Sequence, residues 1–217
     1  VSVISSAFTI LLMFWTITFI GRKILKIAPR ENPSKEQTIK ILGAALVGSL
    51  AFTFSDSFWF NAVEAEVYAM SMFFSAFVYW SMLKWDYYAD EEGSDKWLLL
   101  TAYMMGLSLG VHILNLIMIP GLALIYYFRR YNVTVKGMII TLISSIIGLG
   151  VILEILYYGS ATLSKKLDFI LVGMGFAVSS GFVAFLFLVI ISFTAVILYS
   201  IKKKNYGLNL CSLGLLF

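Results

Sequence analysis

Residues 97–128 decide how the chain is threaded through a membrane, and they read WLLLTAYMMGLSLGVHILNLIMIPGLALIYYF. A helix needs about 20 apolar residues to cross the ~30 Å hydrocarbon core of a bilayer. As one helix this stretch would be about 48 Å long, which exceeds an ordinary crossing. As a hairpin it gives two helices of about 16 residues, each a few residues too short for a full crossing. The stretch therefore predicts either one overlong helix or a hairpin.

The distribution of basic residues favours the hairpin. With a hairpin, 14 Lys and Arg residues lie on one side of the membrane and only Lys165 and Lys166 on the other. With one long helix, the count becomes 10 against 6. Basic residues concentrate in cytoplasmic loops. We therefore predict a hairpin whose apex, His112 to Asn115, lies below the outer membrane surface, with Pro120 and Gly121 kinking the returning arm.

The composition supports a membrane protein. Hydrophobic residues make up 60% of the 217 residues and charged residues 13%, against about 25% charged residues in soluble domains. The apolar composition excludes a soluble enzyme and a disordered region. It also excludes a nucleic-acid-binding domain, since the basic residues form short clusters and no stripe. Membrane lipid is the expected surrounding. The single Cys211 excludes an intrachain disulfide.

The remaining apolar runs complete the predicted architecture. We predict an all-α transmembrane bundle of about seven spans plus the start of another, forming one domain over 1–217 that is an internal fragment of a larger protein. The spans besides the hairpin are predicted at 2–21, 40–59, 66–84, 137–158 and 178–201. The acidic loop from Asp86 to Asp95 is interpreted as a hydrated cytoplasmic connector.

The acidic residues predicted on the outer face are concentrated in one segment. Residues 54–68, FSDSFWFNAVEAEVY, contain Asp56, Glu64 and Glu66 but no Lys or Arg. Such acids are costly beside a bilayer unless they face water, a cation or a substrate. If residues 61–72 are helical, Glu64 and Tyr68 share a face, while Glu66 points about 200° away. The alternative is that the acids only cap helices and mark the membrane interface.

His112 is the only histidine, and it lies near Asn115 at the predicted apex. A neutral imidazole can donate to a phosphate or shuttle a proton near pH 7. The alternative is an ordinary hydrogen bond to the backbone. The nearby residues 106–110, GLSLG, fit the nucleophile-elbow pattern, but in a transmembrane helix small residues at this spacing indicate close helix packing. No His or Cys spacing typical of a metal site is present.

Three of these segments together resemble a known family. They are residues 54–70 (FSDSFWFNAVEAEVYAM), residues 106–115 (GLSLGVHILN) and Pro120. They resemble a bacterial membrane family, common in Bacteroidetes and long of unknown function, that is related to a vertebrate transmembrane protein O-mannosyltransferase. Both resemble the glycosyltransferase C superfamily of polytopic enzymes, which take sugar from a polyprenyl-phosphate lipid on the outer face. The resemblance covers roughly residues 1–158.

The resemblance implies a function and a location. The implied reaction is transfer of a hexose from a polyprenyl-phosphate donor to Ser or Thr of an exported protein. The resemblance implies that this hexose is mannose. The implied location is a bacterial inner membrane, with several crossings and a site that faces the periplasm. No cofactor is implied, although a divalent cation is left open, and the main catalytic acid is expected upstream of Val1.

The resemblance also suggests roles for the residues of the two outer segments. The catalytic candidates are Glu66, Asp56 and His112. The substrate-binding candidates are Tyr68, Asn115, Trp59, Asn61 and Glu64.

Two other classes of function remain open at this point. A transporter or flippase could use Asp56, Glu66 or Glu154 as ion sites, and broken helices in matched inverted repeats would favour it. A non-catalytic membrane scaffold is the second alternative.

Overall fold

The computed structural model of the chain describes residues 1–64 and 67–202, which are helices joined by short loops with no β-strand among them. The all-α prediction is confirmed. The contacts within the chain divide the protein into two compact units, Val1–Met138 and Ile139–Phe217. The α-helices are α1 (Ser2–Ile24), α2 (Lys35–Thr53), α3 (Asp56–Val63), α4 (Tyr68–Tyr88), α5 (Lys96–Leu109), α6 (Ile119–Arg130), α7 (Val135–Ile152), α8 (Ser160–Gly173) and α9 (Ser180–Lys202).

Helix α4 is the centre of the first unit, because α1, α5 and α6 all pack against it. Val78, Ser81 and Trp85 of α4 are fully buried. The hydroxyls of Ser81 and Thr101 share a buried hydrogen bond of 2.8 Å between α4 and α5. The Trp85 ring stacks on Tyr126 of α6 with centroids 5.2 Å apart. Apolar packing, one buried hydrogen bond and aromatic stacking thus fix the neighbours of α4.

The reversal predicted within 97–128 is present. Helix α5 ends at Leu109, a turn follows, and a 3-10 helix over Ile113–Met118 leads directly into α6. Trp97 at the start of α5 lies 5.7 Å from Trp80 in the second half of α4, and α6 returns to Trp85. Pro120 lies in the first turn of α6, where a residue without an N–H is tolerated. The proline therefore begins the returning helix.

Helix α2 begins with a capping box, and a sharp bend separates its end from α3. The Ser34 hydroxyl accepts from the Gln37 N–H at 3.2 Å, and the Gln37 side chain accepts from the Ser34 N–H at 2.9 Å. This capping box satisfies two otherwise free donors. Phe54 and Ser55 interrupt the helix, and α3 departs at 64°. The span predicted near 40–59 is therefore bent where α2 meets α3.

The prediction that the acids from Asp86 to Asp95 are merely hydrated is wrong for Asp86, whereas Asp90 and Asp95 stay exposed and pair with arginines. Asp86 is 4% exposed and forms an ion pair with Lys23 of α1. Three more acids of the loop have arginine partners: Asp90 with Arg129, Glu91 with Arg30 at 3.0 Å, and Asp95 with Arg130 at 3.8 Å. These pairs connect the end of α4 to α1 and α6.

Three helical segments of the described residues are long and apolar enough to cross a membrane, namely Ser2–Ile24, Ile113–Arg130 and Val135–Gly173. The bent pair α2 and α3 makes a fourth if it counts as one span. These segments support a membrane protein. The number of about seven spans stays a prediction, and α5, at 14 residues or about 21 Å, is short for a full crossing.

The second unit contains a helix longer than expected. A π-helix over Leu153–Gly159 joins α7 to α8, so helical structure continues to Gly173 and beyond the predicted end of the span at 158. Helix α9 packs against α8, and the Asp168 carboxylate accepts from the Gly181 N–H at 2.9 Å. Glu154 lies in the π-helix and is exposed. Cys211 and the predicted run at 206–217 lie outside the described residues.

Candidate functional site

The reversal brings His112 against the first turn of α4. Its backbone is extended, with φ −155° and ψ 120°, and it precedes the 3-10 helix. The Nδ1 atom accepts from the Leu114 N–H at 3.2 Å, and the imidazole lies 5.5 Å from the Tyr68 ring between centroids. Because Nδ1 is an acceptor, the neutral ring carries its proton on Nε2. His112 therefore both caps the 3-10 helix and keeps a donor for another group.

Asn115, three residues after His112, is held by two serines of α4. Its Oδ1 accepts from the Ser71 hydroxyl at 2.6 Å and from the Ser75 hydroxyl at 3.2 Å. Asn115 is only 4% exposed, and its Nδ2 has no hydrogen-bond partner among the described residues. A buried amide without a partner costs about 1–3 kcal/mol. The site therefore offers an unused donor to an oxygen of a ligand.

The other described candidates lie on or beside α3. Asp56 lies in its first turn, where a carboxylate is favoured by the helix dipole. An open depression of about 420 Å³ is lined by Asp56, Trp59 and three other residues of this segment, Phe54, Phe60 and Val63. Phe58 is buried and contacts Phe52 with centroids 4.8 Å apart. One buried aromatic thus anchors α3, while its acid and Trp59 stay accessible.

The condition under which Glu64 and Tyr68 would share a helical face is not met. Glu64 ends α3 with an extended backbone, φ −75° and ψ 145°, so residues 61–72 do not form one helix and helical spacing does not apply. Glu64 and Asn61 are half-buried. Glu66 lies outside the described residues. The structure thus joins Tyr68, His112 and Asn115 in one cluster, while Asp56, Trp59 and Asn61 belong to α3.

The sequence analysis missed Ser71 and Ser75. Both lie on the face of α4 that begins at Tyr68, at spacings of three, four and seven residues, and this helical spacing was a usable signal. The described residues contain no group of three His, Cys, Asp or Glu side chains that could hold a metal ion. The cluster itself offers hydrogen-bonding groups, namely the imidazole, the amide and the two serine hydroxyls.

A comparison with protein families identifies the first unit. The family model of the Protein O-mannosyl-transferase TMEM260 N-terminal domain matches residues 1–135. The chain belongs to this family. The match covers α1 to α6 and contains every candidate catalytic and substrate-binding residue, although it ends earlier than the expected 158. Comparisons with curated proteins and with solved structures give no significant match.

Membership of the TMEM260 N-terminal family relates this chain to protein O-mannosyl transfer. It supports a membrane protein with a glycosyltransferase-related function, and it implies a sugar donor and a protein acceptor in general terms.

Proposed function

We propose that this chain forms the substrate-facing part of a membrane mannosyltransferase of the glycosyltransferase C type. It moves mannose from a polyprenyl-phosphate lipid to a Ser or Thr hydroxyl of an exported protein, on the periplasmic face of a bacterial inner membrane. The observation that carries the proposal is the cluster of Tyr68, His112 and Asn115, which offers two nitrogen donors, the His112 Nε2 and the Asn115 Nδ2. The family to which the chain belongs supports the same function.

In the proposed reaction, a carboxylate takes the proton of the acceptor hydroxyl, and Glu66 and Asp56 are the candidates. The acceptor oxygen attacks C1 of the sugar, and the bond from C1 to the phosphate oxygen breaks with inversion. The electron pair leaves with the polyprenyl phosphate. General-base catalysis of this kind contributes about 10²–10⁴-fold. The products are the O-mannosylated protein and the free lipid phosphate.

The leaving group needs stabilisation of its charge more than protonation. We assign this role to the His112 Nε2–H, because Nδ1 already accepts from the Leu114 N–H. The Asn115 Nδ2 supplies a second donor from a buried position. Donors that are held in place before the reaction lower the cost of developing charge. Trp59 and Asn61 are proposed to contact the sugar or the acceptor.

The test separates the two roles of His112. In His112→Asn, the amide oxygen replaces Nδ1 as the cap, but the Nε2 donor is lost. A hydrogen bond to a charged group is worth about 1.5–3 kcal/mol, so mannose transfer in complemented deletion cells should fall by about one to two orders of magnitude. Leu114→Ala is the control, since only the backbone of Leu114 contributes to the cap. Normal transfer in a stable His112→Asn protein would contradict the proposal.

A further inference from the structure

A small cavity at the C-terminal end of α4 contains two lysines. It has a volume of about 180 Å³ and lies where α4, the loop after it and the start of α5 meet. Its lining includes Lys84 and Tyr88 of α4, Glu92 of the loop, and Lys96 and Trp97 of α5. The candidate cluster contacts the first turn of α4. The two sites therefore lie at opposite ends of this helix.

The Lys84 ammonium lies against two indole rings. It is 4.7 Å from the ring centroid of Trp80 and 4.1 Å from that of Trp97. The Lys96 ammonium lies 5.9 Å from the centroid of the same Trp97 ring. An indole attracts a cation but does not neutralise its charge. Two positive charges are thus held close to one ring.

Neither lysine has a carboxylate within ion-pair distance in the part of the chain that the structure describes. Two acids do line the cavity, but Glu91 is paired with Arg30 at 3.0 Å. Glu92 is exposed and opposes the binding of an anion. Like charges in one cavity repel each other, and an anion shared by the lysines would remove this repulsion.

The face of α4 that carries Lys84 is aromatic over most of its length. It consists of Phe73, Phe77, Trp80 and Lys84, at spacings of four, three and four residues. Such spacings place side chains on one face of a helix. The rings of Phe73 and Phe77 are 6.1 Å apart between centroids, and those of Phe77 and Trp80 are 5.4 Å apart. This aromatic row is about 17 Å long, and its members are half-buried, so the surface is partly open.

The aromatic row also lies on the opposite side of α4 from the candidate cluster. Phe73 is two residues from Ser71 and two from Ser75, and two residues of an α-helix correspond to a rotation of about 200°. The two serines bond Asn115. The lysine cavity and its aromatic row are therefore separate from the proposed catalytic site in both position and direction.

The cavity lies at the predicted cytoplasmic surface of the membrane. Lys84 is the last residue of the span predicted at 66–84, on the side that carries 14 Lys and Arg residues. Tryptophan is enriched at this level of a membrane. Basic pockets between helices on the cytoplasmic side bind the head groups of anionic lipids. A ligand that fits both the cavity and the aromatic row has an anionic head and an apolar chain.

We propose that the cavity binds the head group of an anionic diacyl phospholipid. Its phosphate is shared by Lys84 and Lys96, and one acyl chain lies along Trp80, Phe77 and Phe73. A free phosphate would use the two lysines alone, so the aromatic row commits the site to a lipid. This lipid site does not depend on the proposed mannose transfer. The bound lipid would hold the end of α4 at the membrane surface.

The test is native mass spectrometry of the purified chain in a non-ionic detergent, with phosphatidylglycerol as the probe. The measured quantity is the fraction of protein that retains one lipid as the lipid concentration rises. Phosphatidylglycerol should bind more tightly than phosphatidylcholine, which has no net charge. Inorganic phosphate at the same concentration should not displace it, because phosphate has no chain to contact the aromatic row.

Substitution of either lysine should weaken binding. Lys84→Gln and Lys96→Gln should each cost about fivefold in affinity, which corresponds to the ~1 kcal/mol of a basic residue near anionic lipid. Lys35→Gln is the matched control, because Lys35 is an exposed lysine at the start of α2 and does not line the cavity. It should bind the lipid normally. Lys96 is exposed, so its variant carries the test if Lys84→Gln is not helical and monodisperse.

Glu92→Gln reports the charge of the occupant. Removal of this carboxylate should strengthen the binding of phosphatidylglycerol by up to about fivefold, because an exposed charge contact is worth up to about 1 kcal/mol. A zwitterionic lipid whose ammonium uses Glu92 would respond in the opposite direction. Phosphatidylethanolamine is the probe for that case, and it should bind the native chain less tightly than phosphatidylglycerol.

Equal retention of phosphatidylglycerol by Lys84→Gln, Lys96→Gln and Lys35→Gln would overturn the proposal. Weaker binding in Glu92→Gln would also contradict it and would identify a zwitterionic occupant. Displacement by inorganic phosphate would show a site for a free anion, and equal binding of phosphatidylcholine would show an unselective lipid contact. Either result excludes a specific site for an anionic phospholipid.

Discussion

The Ser71 hydroxyl donates to the Asn115 Oδ1 at 2.6 Å and thereby joins the first part of α4 to the apex of the chain reversal. The two residues are 44 positions apart in the sequence. A hydrogen bond between groups this distant fixes tertiary structure, since nothing local would bring them together. It also determines where His112, three residues before Asn115, meets Tyr68.

We expect Asn115→Ala to destabilise the first unit. The substitution leaves the part-buried hydroxyls of Ser71 and Ser75 without their common acceptor, and the loss of a hydrogen bond costs about 0.5–1.5 kcal/mol. Thermal unfolding of the chain in detergent, followed by circular dichroism, measures the loss. Leu114→Ala is the control, because Leu114 is exposed, and it should change the midpoint little. Equal midpoints for the two variants would contradict the prediction.

The ion pair of Lys23 and Asp86 should matter more than a surface pair. Asp86 is buried, whereas Glu36 and Lys40 form an exposed pair of 2.5 Å on α2. Lys23→Gln leaves a buried carboxylate unpaired, at a cost of up to about 3–5 kcal/mol. We expect the lower part of that range or less, because Lys23 itself is partly hydrated. Lys40→Gln should cost about 0.3–0.5 kcal/mol.

The same unfolding measurement distinguishes the two pairs. The double variant Lys23→Gln with Asp86→Asn should recover part of the loss, because it removes the uncompensated charge. If Lys23→Gln and Lys40→Gln have the same small effect, the buried pair contributes no more than a surface contact.

The sequence was sufficient for the helical class and for the reversal within 97–128. Both depend on simple quantities, namely the length of an apolar run and the count of basic residues on each side. Asn115 and His112 were also recognised, because polar residues at the apex of an apolar hairpin are conspicuous. Their partners in α4 required the three-dimensional register, although the spacing of Tyr68, Ser71 and Ser75 indicated a common face.

The failures have a common physical cause. The acids from Asp86 to Asp95 resemble solvated charges in the sequence, but arginines and a lysine distant in the sequence pair with several of them in space. The break at Glu64 was missed because residues 61–72 contain neither proline nor glycine, the strongest local signals for ending a helix. Long-range pairing decided the surroundings of the acids, and no local sequence signal marked the end of α3.

The two ends of α4 should face opposite sides of the membrane. Helix α3 leads into its first turn, while the acidic loop follows its last turn. In a Cys211→Ser background, Ser57→Cys should react with an impermeant maleimide added to intact cells, and Glu92→Cys should react only after lysis. Both positions are exposed. Reaction of Glu92→Cys but not Ser57→Cys in intact cells would invert the proposed orientation.

Glu66→Gln tests the proposed base. The substitution keeps size and polarity but removes the carboxylate that would accept the proton or bind a sugar hydroxyl. Charge-assisted hydrogen bonds are worth about 1.5–3 kcal/mol, so transfer to exported proteins should slow by about one to two orders of magnitude. Expression and membrane insertion should hardly change. The assay is mannose incorporation in deletion cells complemented by each variant.

Glu64→Gln is the matched control for Glu66→Gln, because it removes one negative charge from the same segment. Glu64 is a half-buried residue at the end of α3, and we expect its variant to retain near-normal transfer. Asp56→Asn tests the other candidate for the base, since Asp56 is an exposed acid beside Trp59. A large loss in Asp56→Asn with none in Glu66→Gln would move the base to α3. Near-normal transfer in all three variants would leave these acids as interfacial anchors, because a proton acceptor cannot be removed without slowing the step that it serves.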